Sequence, residues 1–355
     1  MQTIDARELI RTTLSDCNIE TRFIALKSLS IDSSSIEFLN SLADDEQDYY
    51  YEHINPYAKD LSQKDIKEYF YKLLRANNYN GIYSFIIYNN LDTNDYVELL
   101  WKYQIYMQQN NDHTFREYEI NRIFKKIYAD NLISVSLVER IINLEISYAK
   151  FFYFSYEKSK PLYLMEKLSN DASYIVQIIK LTYLEDQGER LEYSKEEEES
   201  IQFYDQVIRY VHFCPCVDVD GNYHAENLNM WIQNYESGIS ENNQRNIGLK
   251  LLGKFLSFFP KGKFPGWLPE EICRVIDMYN NDGLNESFII QCLNNRSAHY
   301  CNDGNENNSL IEEYEKYAKI YEMDYPITAS IFRKLSDYYN DEKQEQKERA
   351  SHSMF

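Results

Sequence analysis

Apolar residues recur at spacings of three and four along most of this chain, which is the spacing that places them on one face of an α-helix. In residues 62–75 one such stripe is formed by Ile66, Tyr69, Phe70, Leu73 and Leu74. Ser62 stands at the N-cap position of this segment and Asp65 follows in its first turn. The pattern predicts an amphipathic helix with one buried face.

Segments of this kind come in pairs through the first half of the chain, separated by short polar breaks. The pairs are 62–75 with 80–90, 93–109 with 115–129, and 135–156 with 161–169 and 172–184. Residues 133–156 are apolar around most of the circumference, so we expect them to lie between neighbouring helices. The pattern predicts an all-α fold, an irregular α-solenoid of helix pairs similar to HEAT or tetratricopeptide arrays. No strict repeat period is present, so a compact bundle is the alternative.

A change from helical apolar spacing to polar and acidic residues near residue 186 predicts a domain boundary. The break at 186–189 is followed by the acidic run 196–199, which is typical of a solvated helix start. We predict a helical-repeat region over 1–186 and a C-terminal helical subdomain over 187–355. The subdomain is expected to hold irregular segments at 211–223 and 260–269, four further helices and a frayed tail from about residue 341. The four helices are predicted at 270–281, 285–295, 309–323 and 326–345, with Pro326 in the first turn of the last one.

Composition supports the helical fold and narrows the function. Only 10 glycines and 7 prolines occur in 355 residues, and 44% of the residues are hydrophobic. The net charge of −20 repels phosphate backbones and disfavours generic nucleic-acid binding. No apolar run approaches the roughly 20 residues of a membrane span. Six irregularly spaced cysteines form no disulfide framework, so we expect a cytoplasmic protein with reduced thiols.

One basic stretch runs against this acidic average. No Asp or Glu occurs between Asn242 and Pro269. The same stretch carries Arg245, Lys250, Lys254, Lys261 and Lys263. It is either a solvated helix face beside a basic loop or a dock for an acidic partner or a phosphate. We predict a partner-binding surface made of these cations, of Trp267 as an exposed aromatic residue, and of Arg296.

No catalytic, metal or cofactor site is predicted. The segment 212–216, with His224 beyond it, holds two cysteines but no second pair with zinc spacing, so buried thiols are expected. Residues 218–222 lack the ligand alternation of a calcium loop and predict a turn. Gly248 and Gly253 lie inside a helical pattern and not in a phosphate loop. Arg296 and His299 have the residue types of a helical ribonuclease pair, but only two residues separate them.

Scattered segments from about residue 46 to 345 carry a diffuse resemblance. They are 49–57, 72–75 with 81–83, 161–164 with 174–176, Trp231, Gly248, 267–269, 294–296, 312–314, Ala318 and 326–333. In this order they resemble the C-terminal helical region of very large bacterial proteins, many of them linked to antiphage defence. In those proteins an N-terminal effector or nucleotide-switch module precedes helical repeats.

The resemblance implies a sensing or scaffolding role and transfers no catalytic residue. The effector part has no counterpart here, so the chain is either a piece of a longer protein or a freestanding relative with a separate partner. We therefore expect a non-catalytic protein-interaction module that binds an effector module or a phage protein. Two alternatives stay open: an antitoxin-like regulator, whose acidic surface masks a toxic effector, and a ribonuclease that uses Arg296 and His299.

Overall fold

A computed structural model describes residues 17–27, 32–54, 56, 61–110, 115–130, 133–154, 159–183, 194–295 and 306–352. These residues form eighteen α-helices and no strand, so the all-α prediction is confirmed. None of the described helices combines the length and the hydropathy that a membrane span requires. The chain divides into two compact units, Met1–Ser159 and Lys160–Phe355.

The first unit holds nine described helices. They are α1 (Ile19–Leu26), α2 (Ser33–Asn40), α3 (Asp44–His53), α4 (Gln63–Arg75), α5 (Tyr79–Tyr88), α6 (Thr93–Asn110), α7 (Glu117–Tyr128), α8 (Val135–Ser147) and α9 (Ala149–Phe154). Helix α3 packs on α4, α4 on α5, and α6 on α7. In addition α1 contacts α3, α2 contacts α4, α6 contacts α8, and α7 contacts α9. Each of these contacts is with the next helix or the next but one. The solenoid arrangement stays a prediction.

Helix α4 shows why the sequence pattern works in this unit. The Ser62 hydroxyl accepts a hydrogen bond from the Asp65 amide at 3.2 Å and caps the helix. The five stripe residues named for this segment are all buried. Burial of one face thus accounts for the spacing of three and four, because only that face meets the neighbouring helices.

The prediction of one helix over 133–156 is wrong. The helix ends at Ser147 and a new one begins at Ala149. Between them Tyr148 has φ −106° and ψ 13°, outside the helical range. Its buried hydroxyl donates to the Leu100 carbonyl of α6 at 2.9 Å. The break coincides with this long-range hydrogen bond, for which helical periodicity gives no signal.

The second unit also holds nine described helices. They are α10 (Leu162–Asn170), α11 (Ala172–Thr182), α12 (Lys195–Tyr210), α13 (Ala225–Glu241), α14 (Arg245–Leu256), α15 (Glu270–Tyr279), α16 (Asp282–Asn294), α17 (Glu306–Tyr321) and α18 (Pro326–His352). Helix α17 packs along α18, α14 packs on α16, and α11 packs on both α12 and α13. Pro326 opens α18 as predicted, and α15 contributes its cap: the Asp277 carboxylate accepts from the Ile327 and Thr328 amides at 2.9 and 3.0 Å.

The boundary between the units differs from the predicted position near residue 186. Helices α10 and α11 belong with the helices that follow them. The Trp231 indole of α13 donates to the Leu168 carbonyl at 3.3 Å, and the Gln244 side-chain amide donates to the Tyr183 carbonyl at 2.5 Å. Residues 184–193, which carry the compositional break, lie outside the described residues. A polar break in sequence therefore falls inside a packed unit.

The end of the chain also differs from the prediction of a frayed tail from about residue 341. Helix α18 continues to His352. The buried Tyr339 ring stacks on the Tyr314 ring of α17 at 5.8 Å, and the Asn307 amide donates to the Glu342 carboxylate at 3.1 Å. These contacts with α17 hold the helix beyond the point where its own sequence becomes highly charged.

Candidate partner-binding site: the two-loop platform

The two irregular segments of the second unit meet in space. We call residues 211–224 together with 257–269 the two-loop platform. The Tyr223 ring packs edge-on against Phe259 and Phe264, with centroid distances of 5.3 and 6.4 Å. The Lys263 ammonium donates to the Gly221 carbonyl. Both segments were predicted to be irregular, but only the structure places them side by side.

The first loop is held by a tight turn and by buried backbone hydrogen bonds. The Asn222 amide donates to the Asp218 carboxylate at 2.7 Å, and Gly221 has the positive φ of 82° that the turn requires. Cys216 also has a positive φ, 57°. Its amide donates to the Ser169 carbonyl at 3.0 Å and its carbonyl accepts from the His224 amide at 2.8 Å. The turn prediction for 218–222 is thereby confirmed.

The two cysteines of this loop are buried, as predicted. Burial raises the pKa of the Cys216 thiol to about 12 and that of Cys214 well above its ordinary value. Both thiols are therefore protonated at neutral pH and are poor nucleophiles. Among the described residues no three His, Cys, Asp or Glu side chains are grouped so that they could hold a metal ion.

The prediction of Trp267 as an exposed aromatic residue is wrong. Its side chain is 3% exposed and its indole donates to the Phe259 carbonyl at 2.8 Å. The backbone turns inward here, with φ 76° at Trp267. The Tyr321 hydroxyl of α17 donates to the Leu268 carbonyl at 2.6 Å and accepts from the Leu268 amide at 3.1 Å. Trp267 thus anchors the second loop, because its ring is buried and its N–H group has a hydrogen-bond acceptor.

Lys261 packs on this anchor. Its ammonium lies 4.8 Å from the centroid of the Trp267 ring and 4.9 Å from that of Tyr314, and 3.4 Å from the Glu313 carboxylate. Cation–π contacts with two rings fix a side chain that would otherwise be mobile. At the tip of the same loop Phe264 remains 37% exposed, and the space beside Gly262 is open.

The three cations of α14 reach different elements of the unit. Arg245 pairs with Glu236 of α13 at 3.3 Å, and the side chain of Lys250 lies beside Gly283 of α16. The Lys254 ammonium donates to the Ile208 carbonyl at the end of α12 at 2.7 Å. Burial, and then the charge of Arg209, lowers the pKa of Lys254 to about 8. Arg245 and Lys254 thus link α14 to neighbouring helices, while Lys250 stays exposed. The prediction that these cations bind a partner stays a prediction.

Arg296 and His299, the residues of the ribonuclease alternative, lie outside the described residues. In the platform the half-buried His224 lies between two acids, with Nε2 3.4 Å from the Asp218 carboxylate and Nδ1 3.9 Å from that of Glu226. The His212 ring stacks on Phe258 at 4.2 Å, and burial followed by the charge of Lys254 lowers its pKa to about 4. His212 is therefore neutral at physiological pH and acts as a packing residue.

No protein-family model matches this sequence, and comparisons with curated proteins and with solved structures found no match either. The functional conclusion therefore depends on the residues of the chain itself.

Three residues of the platform are predicted from the sequence, Lys261, Lys263 and Trp267, but Phe264 is not. The sequence does hold a sign that Phe264 is exposed. It lies in the loop sequence Lys-Gly-Lys-Phe-Pro-Gly, outside any helical stripe of apolar residues. A large apolar residue in a loop rich in glycine and proline has no helix face through which to be buried. The role of Tyr321 as a clamp had no such signal, since it depends on contact between residues 53 positions apart.

Proposed function

We propose that this chain is a non-catalytic protein-interaction module that binds a protein partner through the two-loop platform. The observation that carries the proposal is Phe264, an aromatic side chain 37% exposed at the tip of a loop whose base is firmly buried. Exposed aromatic residues on rigid supports are typical anchors of protein interfaces, since little conformational entropy is lost on binding. Lys263, directly before it, adds a cation that favours an acidic partner surface.

We further propose that the module acts in the cytoplasm as the sensor or scaffold part of a bacterial antiphage-defence system. The support is the distributed resemblance described above, together with the contacts between successive helices of the first unit. Such contacts suit a solenoid, which would offer an extended surface for recognition. The partner would then be an effector module or a phage protein.

The test is affinity capture of partners by the full chain from bacterial cells, with and without phage infection, followed by mass spectrometry. The variant combines Lys263→Glu with Phe264→Ser. Its matched control combines Lys319→Glu with Ile320→Ser, an adjacent lysine and exposed apolar residue on α17. We expect the wild type and the control to recover the same effector or phage protein, and the platform variant to lose at least about 90% of it, a tenfold loss of affinity.

Equal recovery by the platform variant and the control would refute the platform as the binding surface. Failure of the wild-type chain to enrich any protein would refute the interaction role. Capture of a toxic effector whose activity the chain suppresses would support the antitoxin-like alternative in place of the sensor role.

A further inference from the structure

A groove on the first unit is lined by side chains that have no part in the two-loop platform. The groove is shallow and is lined by Tyr83 and Ile87 of α5, by the buried Tyr96 of α6, and by Arg122 and Lys126 of α7. Arg122 and Lys126 are four positions apart, so they lie on the same face of α7. None of these residues is predicted as a site from the sequence.

The groove presents apolar surface to solvent. The Ile87 side chain is 37% exposed, while Ile86 and Ile123 beneath it are buried and make a rigid floor. Tyr118, one turn before Arg122 on α7, is 52% exposed, and its ring contacts Tyr83 edge-on at 6.4 Å. An apolar strip bordered by two tyrosines matches the composition of protein interfaces, in which tyrosine is enriched.

The two cations of the groove form no salt bridge with a carboxylate of the described residues. Within the described part of the chain Arg122 is exposed and makes no hydrogen bond or ion pair. Lys126 donates to the side-chain oxygen of Asn90 at 2.8 Å, which leaves its charge unpaired. None of the described residues that line the groove carries a carboxylate. The nearest acid along α7, Glu119, is buried and is occupied by the Arg116 amide at 2.6 Å and the Tyr118 hydroxyl at 3.0 Å.

We infer that this groove binds an acidic segment of a partner protein, with one aliphatic or aromatic side chain of that segment seated against Ile87 and Tyr83. Within the described residues these two exposed cations have no carboxylate partner. The groove therefore attracts carboxylates, although the chain as a whole, with a net charge of −20, repels them. A nucleic acid fits less well, because the remaining surface repels a long polyanion. The apolar floor would also leave a phosphate backbone without partners. The carboxylates pair with Arg122 and Lys126 at the rim, and the apolar side chain covers the exposed faces of Ile87 and Tyr83.

The test is selection of binding peptides from a displayed library of short random sequences, with the full-length chain as the target. Peptides enriched on the wild type are synthesised, and their dissociation constants are measured by fluorescence anisotropy. The variants are Arg122→Glu and Ile87→Ala. Their matched controls are Lys102→Glu, an equal change of charge on the exposed surface of α6, and Ile105→Ala, since Ile105 is also 37% exposed.

We expect the enriched peptides to combine Asp and Glu with one large apolar residue. Arg122→Glu and Ile87→Ala should each weaken binding about tenfold or more, a change typical of interface anchors. The two controls should bind within about twofold of wild type, and added salt should weaken binding because the rim charges are exposed. Circular dichroism spectra that match the wild type would show that the variants are folded.

Four results would overturn the inference. These are enrichment of no peptide or of basic peptides, equal losses in the variants and their controls, and Arg122-dependent binding of a labelled oligothymidine in place of the peptides. The fourth is a dimer that dissociates on Arg122→Glu, which would assign the groove to a second copy of the chain. Because the groove lies in the first unit, Lys263→Glu with Phe264→Ser should leave peptide binding unchanged, so this inference can fail or succeed apart from the two-loop platform.

Discussion

For single residues, the role of a charged side chain depends on the groups that its charged end contacts. Lys254 and Lys263 are near neighbours in sequence, yet the ammonium of Lys254 is drawn to the end of α12 while that of Lys263 joins two loops. Within the described residues Arg122 makes no hydrogen bond or ion pair, and Lys126 donates to a neutral amide oxygen. A count of positive charges along the sequence therefore identified a basic stretch but could not tell bracing residues from binding residues.

His212 provides a pH-dependent prediction at this scale. Its pKa is lowered to about 4 in the folded protein, against 6.5 for the free side chain, so between these values the unfolded chain binds more protons. The free energy of unfolding should then fall as the pH drops from about 6.5 toward 4, by at most about 1.4 kcal/mol per pH unit from this residue. His212→Phe keeps the stack on Phe258 and removes the titration.

Urea unfolding of both proteins at pH 7 and at pH 5 measures the effect. We expect the wild type to lose more stability than His212→Phe between these two values. A difference between the two proteins that is the same at both pH values would contradict the neutral, buried state of His212.

Between elements, α14 and α16 approach each other closely at Gly253 of α14. A Cβ atom placed there would lie 2.8 Å from the Leu284 carbonyl carbon and 3.0 Å from its Cα, which are backbone atoms of α16 that have no rotamer to change. Gly283, on the other side of the same helix contact, faces the flexible side chain of Lys250. The two glycines have the same residue type but different neighbours.

We predict that Gly253→Ala forces α14 and α16 apart and destabilises the protein by roughly 1–3 kcal/mol or more. Gly283→Ala should remain within about 1 kcal/mol of wild type, since alanine favours the helix and Lys250 can move. Thermal and urea unfolding of the two variants test this pair. Equal stability of Gly253→Ala and Gly283→Ala would show that the helices do not meet at Gly253.

At the scale of the whole molecule, the division into units makes a prediction about fragments. Residues 160–355 retain α10 and α11, which cover Trp231 and contact Gly238 through Val176. We expect this fragment to fold cooperatively. A fragment of residues 187–355 loses both helices, exposes the apolar face of α13 and leaves the Trp231 indole without its acceptor, so it should aggregate or unfold at much lower temperature.

Expression of both fragments, with circular dichroism and thermal melting, measures the difference. Similar cooperative melting of the two fragments would place the boundary at the compositional break near residue 186 after all. The position near residue 186 is predicted because polar and acidic residues are typical of linkers.

The all-α class, the stripe and cap of α4, the start of α18, the buried thiols and the turn at 218–222 could all be predicted from the amino-acid sequence. Most of these follow from residues a few positions apart, whose helical or turn geometry is fixed by local sterics and hydrogen bonds. The sequence did not show that Tyr148 ends a helix, that Trp267 is an anchor, that two loops form one platform, or that Arg122 has no ion-pair partner among the described residues. These depend on contacts between distant segments, and the free energy of such contacts comes from packing partners that local periodicity does not identify.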